Sequence, residues 1–368
     1  MKNLYILQGK INTKEIEDET VDYIAFDYIA HNFLLTKKIP HSVIDDHIDD
    51  EERENIFKRC SEYLKKLEQL GDTGINFHDV DLVSIVDRNE LHEFLMDILP
   101  KIKIVTKLLE DNIYKKIFVS SEIHEIFSNT KFASKLEKLN HVEKTNLTFE
   151  NIQIPLKLGN QEIKFSINRK KYKTLKENVE KISGTLFNLK NNMEGKNKII
   201  LLEFDPEIYF ELLKEISTRD LQPVLINFRK SSTHSISAIK NLKKSNSLVL
   251  TPKNFLEKNE LESITQTKTS IKKILAEILE NKQPFQNLIS KETNFDLLLQ
   301  RKIINIIFQR LDEYLYQILI AEKIKNLDCI KGILTLNFSG ETEKIFLKIR
   351  NKTPIILLQH AFANYLEP

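Results

Sequence analysis

The segment that most constrains this fold is a strand–helix–strand pattern that occupies only about thirty residues, from Lys198 to Phe228. It opens with one apolar run, residues 199–204, and closes with another, residues 223–228. Asp205-Pro206 is expected to start the helix between them, as an N-cap acceptor followed by proline at the first helical position. A unit this short folds with two parallel strands and a right-handed crossover, so the sequence predicts an α/β fold with a parallel sheet.

The C-terminal end repeats this pattern. Residues 333–336 predict a strand, 341–350 a helix, and 355–358 a second strand. Four consecutive apolar residues in that last strand are typical of a strand buried on both faces of a parallel sheet. We therefore expect both patterns to belong to one mostly parallel sheet, together with a short strand at 248–250. A long helix with apolar residues from Ile303 to Leu319 on one face is predicted to precede the C-terminal pattern.

The N-terminal third also alternates strands and helices. Strands are predicted at 4–7, 41–44 and 116–120, and helices at 26–34, 51–70 and on both sides of Pro100. Residues 150–168 then alternate apolar and polar positions around Gly159-Asn160, which predicts a β-hairpin. The predicted organisation is an N-terminal α/β domain over 1–148, a β-hairpin arm and linker over 149–197, and a Rossmann-like domain over 198–368.

Composition limits the classes of partner. The formal net charge of +2 comes from 55 basic and 53 acidic residues, which argues against a surface for nucleic acid. No run approaches the roughly 18–20 apolar residues that a membrane span needs, so we expect a cytoplasmic protein. Peripheral contact with the inner face of the membrane stays open.

The two cysteines, Cys60 and Cys329, make no disulfide framework, and both are expected to be buried thiols.

Common catalytic motifs are absent from the sequence. It has no phosphate-binding Gly-rich loop, dinucleotide fingerprint, zinc-protease motif or nucleophile elbow. Residues 41–50 are crowded with His and Asp side chains, but Asp49 or Asp50 as a helix N-cap explains that crowding without an ion. The sequence therefore assigns no metal ligand and no cofactor.

Polar side chains follow several predicted strands. Gln359 and His360 come at the end of the last strand, and in open α/β sheets ligands bind at the carboxyl ends of the strands. Cations and hydroxyls at the end of the 223–228 strand suit a phosphate or an acidic sugar, although a plain polar loop explains each one alone. These residues are Arg229, Lys230, Ser231, Ser232 and His234. In the loop after residue 336, Ser339 is the predicted N-cap, and Glu341 and Glu343 lie well against the helix dipole.

Four segments, taken together, resemble the acceptor half of GT-B-type glycosyltransferases that build surface and capsular polysaccharides. These enzymes are related in fold to CDP-glycerol glycerophosphotransferases and to epimerases of UDP-N-acetylglucosamine. The family's hallmark is an apolar strand that ends in Leu-Gln-His-Gly; here Leu358-Gln359-His360 match and Ala361 replaces the glycine. The resemblance covers about residues 198–368, and its segments are 198–213, 224–230, 337–343 and 354–365.

The resemblance implies two Rossmann-like domains with a cleft between them and His360 as general base toward an acceptor hydroxyl. An imidazole, with an unperturbed pKa of about 6.5, suits that role. The substrates would be a nucleotide-activated sugar and a glycan acceptor, bound in part by Arg229 and the loop that follows it, by Ser339 and Glu341, and by Gln359. The family's donor domain follows the His strand, so a separate donor-domain subunit is an expected partner, and the chain alone is expected not to bind nucleotide-linked donors.

Two other functions remain open from the sequence. One is a non-catalytic subunit that binds a glycan or a partner transferase, which the replacement of glycine by Ala361 favours. The other is a protein similar to the nucleotide-sugar epimerases, which share the fold.

Overall fold

The computed structural model describes residues 2–9, 21–70, 73–139, 151–158, 161–187, 193, 195–251, 255–281 and 294–358. The chain divides into two compact units. Unit 1 comprises Met1–Thr73, Arg88–Leu147 and Glu277–Ile306, and unit 2 comprises Gly74–Asp87, Thr148–Ala276 and Ile307–Pro368. The boundaries inferred from the sequence, at 148 and 198, stay predictions.

Unit 1 contains a five-stranded parallel sheet in the order β3-β2-β1-β6-β7. Its strands are β1 Leu4–Leu7, β2 Asp22–Ala25, β3 Ser42–Val43, β6 Ile117–Val119 and β7 Leu136–Lys138. The three predicted strands are present, whereas β2 and β7 were missed. Three of the four residues of β2 are buried, and so short an apolar run merges in the sequence with the helical spacing that begins at Phe26.

The helices of unit 1 follow the predicted apolar spacing. They are α1 Tyr28–Thr36, α2 Asp50–Glu68, α3 Arg88–Asp111 and α4 Ser121–Phe127. Pro100 lies inside α3, so the helical patterns on its two sides belong to one helix. The carboxylate of Asp49 accepts a hydrogen bond from the Glu52 N–H at 2.8 Å, which confirms its role as an N-cap.

In unit 2, the predicted hairpin is formed by β8 Asn151–Leu158 and β9 Gln161–Asn168, which pair antiparallel. It leads into α5 Arg169–Phe187. A second, small antiparallel pair joins β4 Asn76–Phe77 to β5 Val80–Asp81.

The main sheet of unit 2 is parallel, as the sequence predicts, in the order β12-β11-β10-β13-β14. Ile200 of β10 pairs with Val224 of β11 on one side and with Ile333 of β13 on the other. The strands are β10 Lys198–Leu202, β11 Gln222–Ile226, β12 Leu248–Leu250, β13 Ile330–Thr335 and β14 Ile355–Leu357. The α/β fold class with parallel sheets is therefore confirmed.

One helix of unit 2 packs its apolar face against the main sheet. Leu213 and Ile216 of one helix pack with Leu201, Leu225 and other buried residues of the strands. The helices are α6 Phe210–Thr218, α7 Ile236–Lys244, α8 Lys258–Asn281, α9 Phe295–Lys325, which includes residues of both units, and α10 Glu341–Ile349. No helix among the described residues is both long and apolar enough to cross a bilayer.

Three local predictions are wrong. Helix α6 starts at Phe210, not at Pro206, because the Asp205 carboxylate accepts the Glu207 N–H at 2.9 Å and holds a turn there. Strand β14 is an edge strand rather than a strand buried on both faces, and Ile356 is 51% exposed. Cys60 is buried as expected, but Cys329 is only partly buried.

Candidate functional site

The carboxyl ends of β10 and β13 lie next to each other in unit 2. The order of the sheet makes β10 its central strand, with β11 and β12 on one side and β13 and β14 on the other. This is the topological switch point, where α/β sheets of this kind bind their ligands. Glu203 directly follows β10, and the loop 336–340 joins β13 to α10.

Glu203 has a strained backbone and a partly buried carboxylate. Its φ of 61° lies in the left-handed region, which costs a non-glycine residue on the order of 1 kcal/mol. The carboxylate accepts hydrogen bonds from the N–H groups of Phe228, at 2.7 Å, and Arg229, at 3.1 Å. Burial raises the pKa of Glu203, while the charge of Arg229 opposes that rise. Strain of this kind persists where the surrounding structure holds it, often at ligand sites.

Glu343 lies in the first turn of α10 with both carboxyl oxygens buried. Neither oxygen has a hydrogen-bond partner among the described residues, and the side chain is 1% exposed. The nearest cation is the Arg229 guanidinium, whose Nη2 lies 4.0 Å from Oε2. Burial raises the pKa of Glu343 to about 7, although Arg229 acts to lower it. The carboxyl group can therefore take up or release a proton near neutral pH.

Gly340 makes room for this pair. A Cβ atom at Gly340 would lie 2.2 Å from Glu343 Oε2 and 2.5 Å from Arg229 Nη2, too close for any side chain unless both groups move. The φ of Gly340 is −74°, so close packing rather than backbone conformation requires glycine here.

Asp87 is a further carboxylate beside Arg229, on the side nearer to solvent. One of its oxygens lies 3.5 Å from Arg229 Nη2, and its side chain is 18% exposed against 44% for Arg229. Glu341 has a smaller effect on Arg229, and the carboxyl groups that act on it most strongly are those of Asp87, Glu203 and Glu343. We refer to these last three residues, together with Arg229 and Gly340, as the edge site.

Behind the edge site, Glu341 belongs to a buried polar network. Its carboxylate accepts hydrogen bonds from the Arg310 guanidinium and, at 2.5 Å, from the Tyr314 hydroxyl. Arg169 lies 3.6 Å away and also binds Glu313 at 2.6 Å. Burial alone would raise the pKa of Glu341, but the two arginines and Tyr314 hold it below its ordinary value. The carboxyl group that the sequence assigned to substrate is therefore occupied by protein groups.

The loop after β11 is built into the unit rather than freely solvated. Ser231 and Ser232 are buried, and the Ser232 hydroxyl has no partner among the described residues. Lys176 of α5 donates to the Asn227 carbonyl at 2.7 Å, just before the loop. Lys230 extends away and forms an ion pair with Asp205, Nζ to Oδ2, at 2.5 Å.

His234 lies at the far end of this loop. Its Nδ1 donates to the Ser231 carbonyl at 3.0 Å, while Nε2 faces Asp205 and Glu207. Burial would raise the pKa of Asp205, but its bonds with Lys230 and with the Glu207 N–H hold it below the ordinary value. The hydrogen bond that the Ser235 hydroxyl donates to Glu207 lowers the pKa of that carboxyl as well.

The loop before α10 corrects one prediction. Ser339 is not the N-cap: that position is Gly340, and no side chain caps the helix there. Instead, the amide oxygen of Asn337 accepts the N–H groups of Ser339, at 3.1 Å, and Gly340, at 2.9 Å, which closes the turn. A side-chain–backbone turn of this type competes with the cap that the sequence pattern favours.

Of the predicted site residues, the structure brings Arg229 to the switch point. Gln359 and His360 lie outside the described residues. Three acidic residues of the edge site were not predicted as site residues: Asp87, Glu203 and Glu343. The position of Glu203 directly after a buried apolar strand was a usable signal, whereas nothing in the sequence connects Asp87 with residue 229.

Comparisons with known proteins gave no match. No family model and no curated protein matches the sequence, and no solved structure matches the fold. The chemistry of the edge site therefore has to be argued from this chain's own residues.

Proposed function

We propose that unit 2 binds the hydroxyl-bearing acceptor in a glycosyltransferase or sugar-phosphate transferase reaction that extends a cell-surface polysaccharide. The observation that carries this proposal is Glu343. A buried carboxyl group with a pKa of about 7, free hydrogen-bonding capacity and a place at the switch point suits a group that removes a proton from an alcohol.

The charges of the edge site favour a neutral acceptor over a nucleotide. The N–H groups of Phe228 and Arg229, which could bind a phosphate, already donate to the carboxylate of Glu203. Asp87 and Glu343 add two more carboxyl groups around a single guanidinium. A diphosphate placed here would meet like charge at short range, whereas sugar hydroxyls can donate hydrogen bonds to carboxylates.

Arg229 controls access to the proposed base. It is 44% exposed and covers Glu343, which is 1% exposed. Because the guanidinium also contacts Asp87 on the outer side, it can turn toward that carboxylate without losing all its ion pairs. An acceptor hydroxyl would then take its place beside Glu343.

The proposed transfer conserves its atoms and its proton. The acceptor O–H bond breaks and its proton passes to the Glu343 carboxylate. The freed oxygen then attacks the anomeric carbon, or the phosphorus, of the activated donor, and the bond to the nucleotide leaving group breaks. Only one base takes this proton, so His360, which the sequence predicts in that role, is the alternative to Glu343. The nucleotide-sugar donor remains part of the proposal. So do the cytoplasmic location, with or without contact at the inner membrane face, and a separate donor-domain subunit.

A binding experiment tests the acceptor site. Saturation-transfer NMR of the full chain with a panel of neutral oligosaccharides, and separately with UDP, CDP and CMP, reports which class binds. We expect oligosaccharide binding that Glu343→Ala weakens about tenfold, the loss of one charge-assisted hydrogen bond. Glu211→Ala, at a side chain that is 82% exposed in the same unit, is the matched control and should bind like wild type. Nucleotide binding that depends on Glu343 would contradict the proposal.

A second experiment separates binding from chemistry. The full chain is added, with nucleotide-sugar donors and the bound oligosaccharide, to an extract of cells from which its gene has been deleted, because that extract supplies the separate donor-domain subunit; the mass of the acceptor is followed by mass spectrometry. Glu343→Gln, which keeps the shape but cannot take the proton, should retain binding and lose transfer. Acceptor binding without any transfer by the wild type would favour the non-catalytic glycan-binding alternative.

A further inference from the structure

A second cluster of potential ligands lies where the loops after β10 and β11 meet. Asp205, Glu207 and His234 each offer one ligand atom, and these three atoms lie within 4.8 Å of one another. His234 Nε2 is 3.6 Å from Glu207 Oε2 and 3.9 Å from Asp205 Oδ2. All three side chains are partly exposed, by 14% for Asp205 and 20% for His234, so solvent ions can reach them.

Each of these side chains is oriented by a second hydrogen bond on its other polar atom. His234 Nδ1 donates to the Ser231 carbonyl, which is outside the cluster. Glu207 Oε1 accepts from the Ser235 hydroxyl, and Asp205 Oδ1 accepts from the Glu207 N–H. Outer bonds of this kind are what orient histidine and carboxylate ligands in metal centres.

The tautomer of His234 follows from this arrangement. A carbonyl oxygen can only accept, so the ring hydrogen is on Nδ1 and the lone pair of a neutral ring is on Nε2. That lone pair faces two carboxylate oxygens. Three acceptors this close repel one another unless a positive charge compensates them. The Lys230 ammonium does so at Asp205 Oδ2, and a metal ion between the three atoms would do so for all of them.

We propose that Asp205, Glu207 and His234 bind a divalent transition-metal ion of the zinc class. An ion with ligands at 2.0–2.1 Å in tetrahedral geometry separates them by about 3.4 Å, close to the 3.6 Å and 3.9 Å found here. One imidazole and two carboxylates suit such an ion, and water would complete the coordination. The ion would join the turn before α6 to the loop that ends at α7. This site is independent of the proposed transfer reaction.

Lys230 is the competitor for this position. Its ammonium group contacts Asp205 Oδ2 at 2.5 Å, on a side chain that is 55% exposed. A metal ion would have to displace it, and the long flexible side chain can move into solvent at small cost. The proposal therefore predicts that removal of the lysine charge strengthens metal binding.

Calorimetric titration of Zn²⁺ into the full chain, first treated with a chelator, tests the proposal. We expect one site whose affinity falls about 100-fold or more in His234→Ala and in Glu207→Gln. Lys230→Met should raise the affinity about tenfold, because an adjacent like charge is gone. His124→Ala, in unit 1, is the control for adventitious histidine binding and should leave the site unchanged. Co²⁺ in place of Zn²⁺ should give the visible absorption of a four-coordinate ion.

Two results would overturn the proposal. One is the lack of stoichiometric Zn²⁺ binding by the wild type. The other is wild-type affinity in Glu207→Gln and Lys230→Met when far-ultraviolet circular dichroism shows both variants folded. Either result would leave the cluster as the ion pair of Lys230 with Asp205 beside His234, without a metal site.

Discussion

Replacing Glu343 by glutamine should change how the stability of the protein depends on pH. Burial raises the pKa of this carboxyl group from 4.5, its ordinary value, to about 7 in the folded chain. The folded state therefore holds the proton more tightly than the unfolded state. The stabilisation from that proton is complete below about pH 4.5 and is lost as the pH rises through 7.

The size of the effect follows from the pKa difference. At about 1.4 kcal/mol per pH unit, the whole shift amounts to roughly 3 kcal/mol of unfolding free energy. Between pH 5 and pH 8, with the two pKa values above, Glu343 should lower the stability of the wild type by about 2–3 kcal/mol. Glutamine has nearly the same shape and does not titrate, so Glu343→Gln should lack this fall.

The assay is urea unfolding followed by circular dichroism at pH 5, 6, 7 and 8. Separate transitions of the two units are fitted individually, because a single two-state fit would not apply to them. The stability of Glu343→Gln relative to wild type should increase by about 2–3 kcal/mol from pH 5 to pH 8. Glu211→Gln, at an 82% exposed side chain, should show no such trend. A difference between Glu343→Gln and wild type that stays constant across this range would refute the argument that the carboxyl group is buried without a strong partner.

Three further substitutions test other parts of the account. Gly340→Ala should leave the fold intact but push the neighbouring charged groups apart. Saccharide binding should therefore fall about tenfold, while the melting temperature, measured by calorimetry, changes little. Unchanged binding would contradict the role of close packing at this glycine. Arg310→Met leaves the buried Glu341 without its main cation and should cost about 3–5 kcal/mol in urea unfolding, whereas a cost below about 1 kcal/mol would mean that the network is dispensable. Asp49→Ala should cost about 1 kcal/mol through loss of the N-cap of α2, and Asp49→Asn should recover most of it.

The parallel sheet of unit 2 could be predicted because its strands are continuous apolar runs. Residues 199–202 and 224–226 are buried along nearly their whole length, and such runs are distinctive over short stretches of sequence. Helix ends whose position depends on a single side-chain hydrogen bond were harder to predict. The start of α6 was placed four residues early because Asp205 closes a turn instead of capping a helix. Ser339 was predicted as the N-cap of α10. The turn that Asn337 forms in its place, by accepting the Ser339 N–H, has no recognisable pattern in the sequence.

The candidate site was predictable only in part, because it is assembled over long distances. Arg229 was identified from its position after a strand, but its partners come from residues 87, 203 and 343, far apart in sequence. Glu343 looked like an ordinary acidic residue in the first turn of a helix. Only folding shows that its carboxyl group packs on Gly340 with no hydrogen-bond partner among the described residues. Burial and pairing of this kind depend on tertiary contacts, which periodicity does not encode.

The most direct test of the central claim, that the edge site of unit 2 holds a sugar acceptor, is hydrogen–deuterium exchange measured by mass spectrometry. The full chain is compared with and without the oligosaccharide that gives the strongest saturation transfer. Slower exchange is expected in the peptides that contain residues 203, 228–231 and 337–343, with UDP producing no protection there and Glu343→Ala removing the protection by the saccharide. Protection of these peptides by UDP, or saccharide protection confined to peptides elsewhere in the chain, would contradict the account.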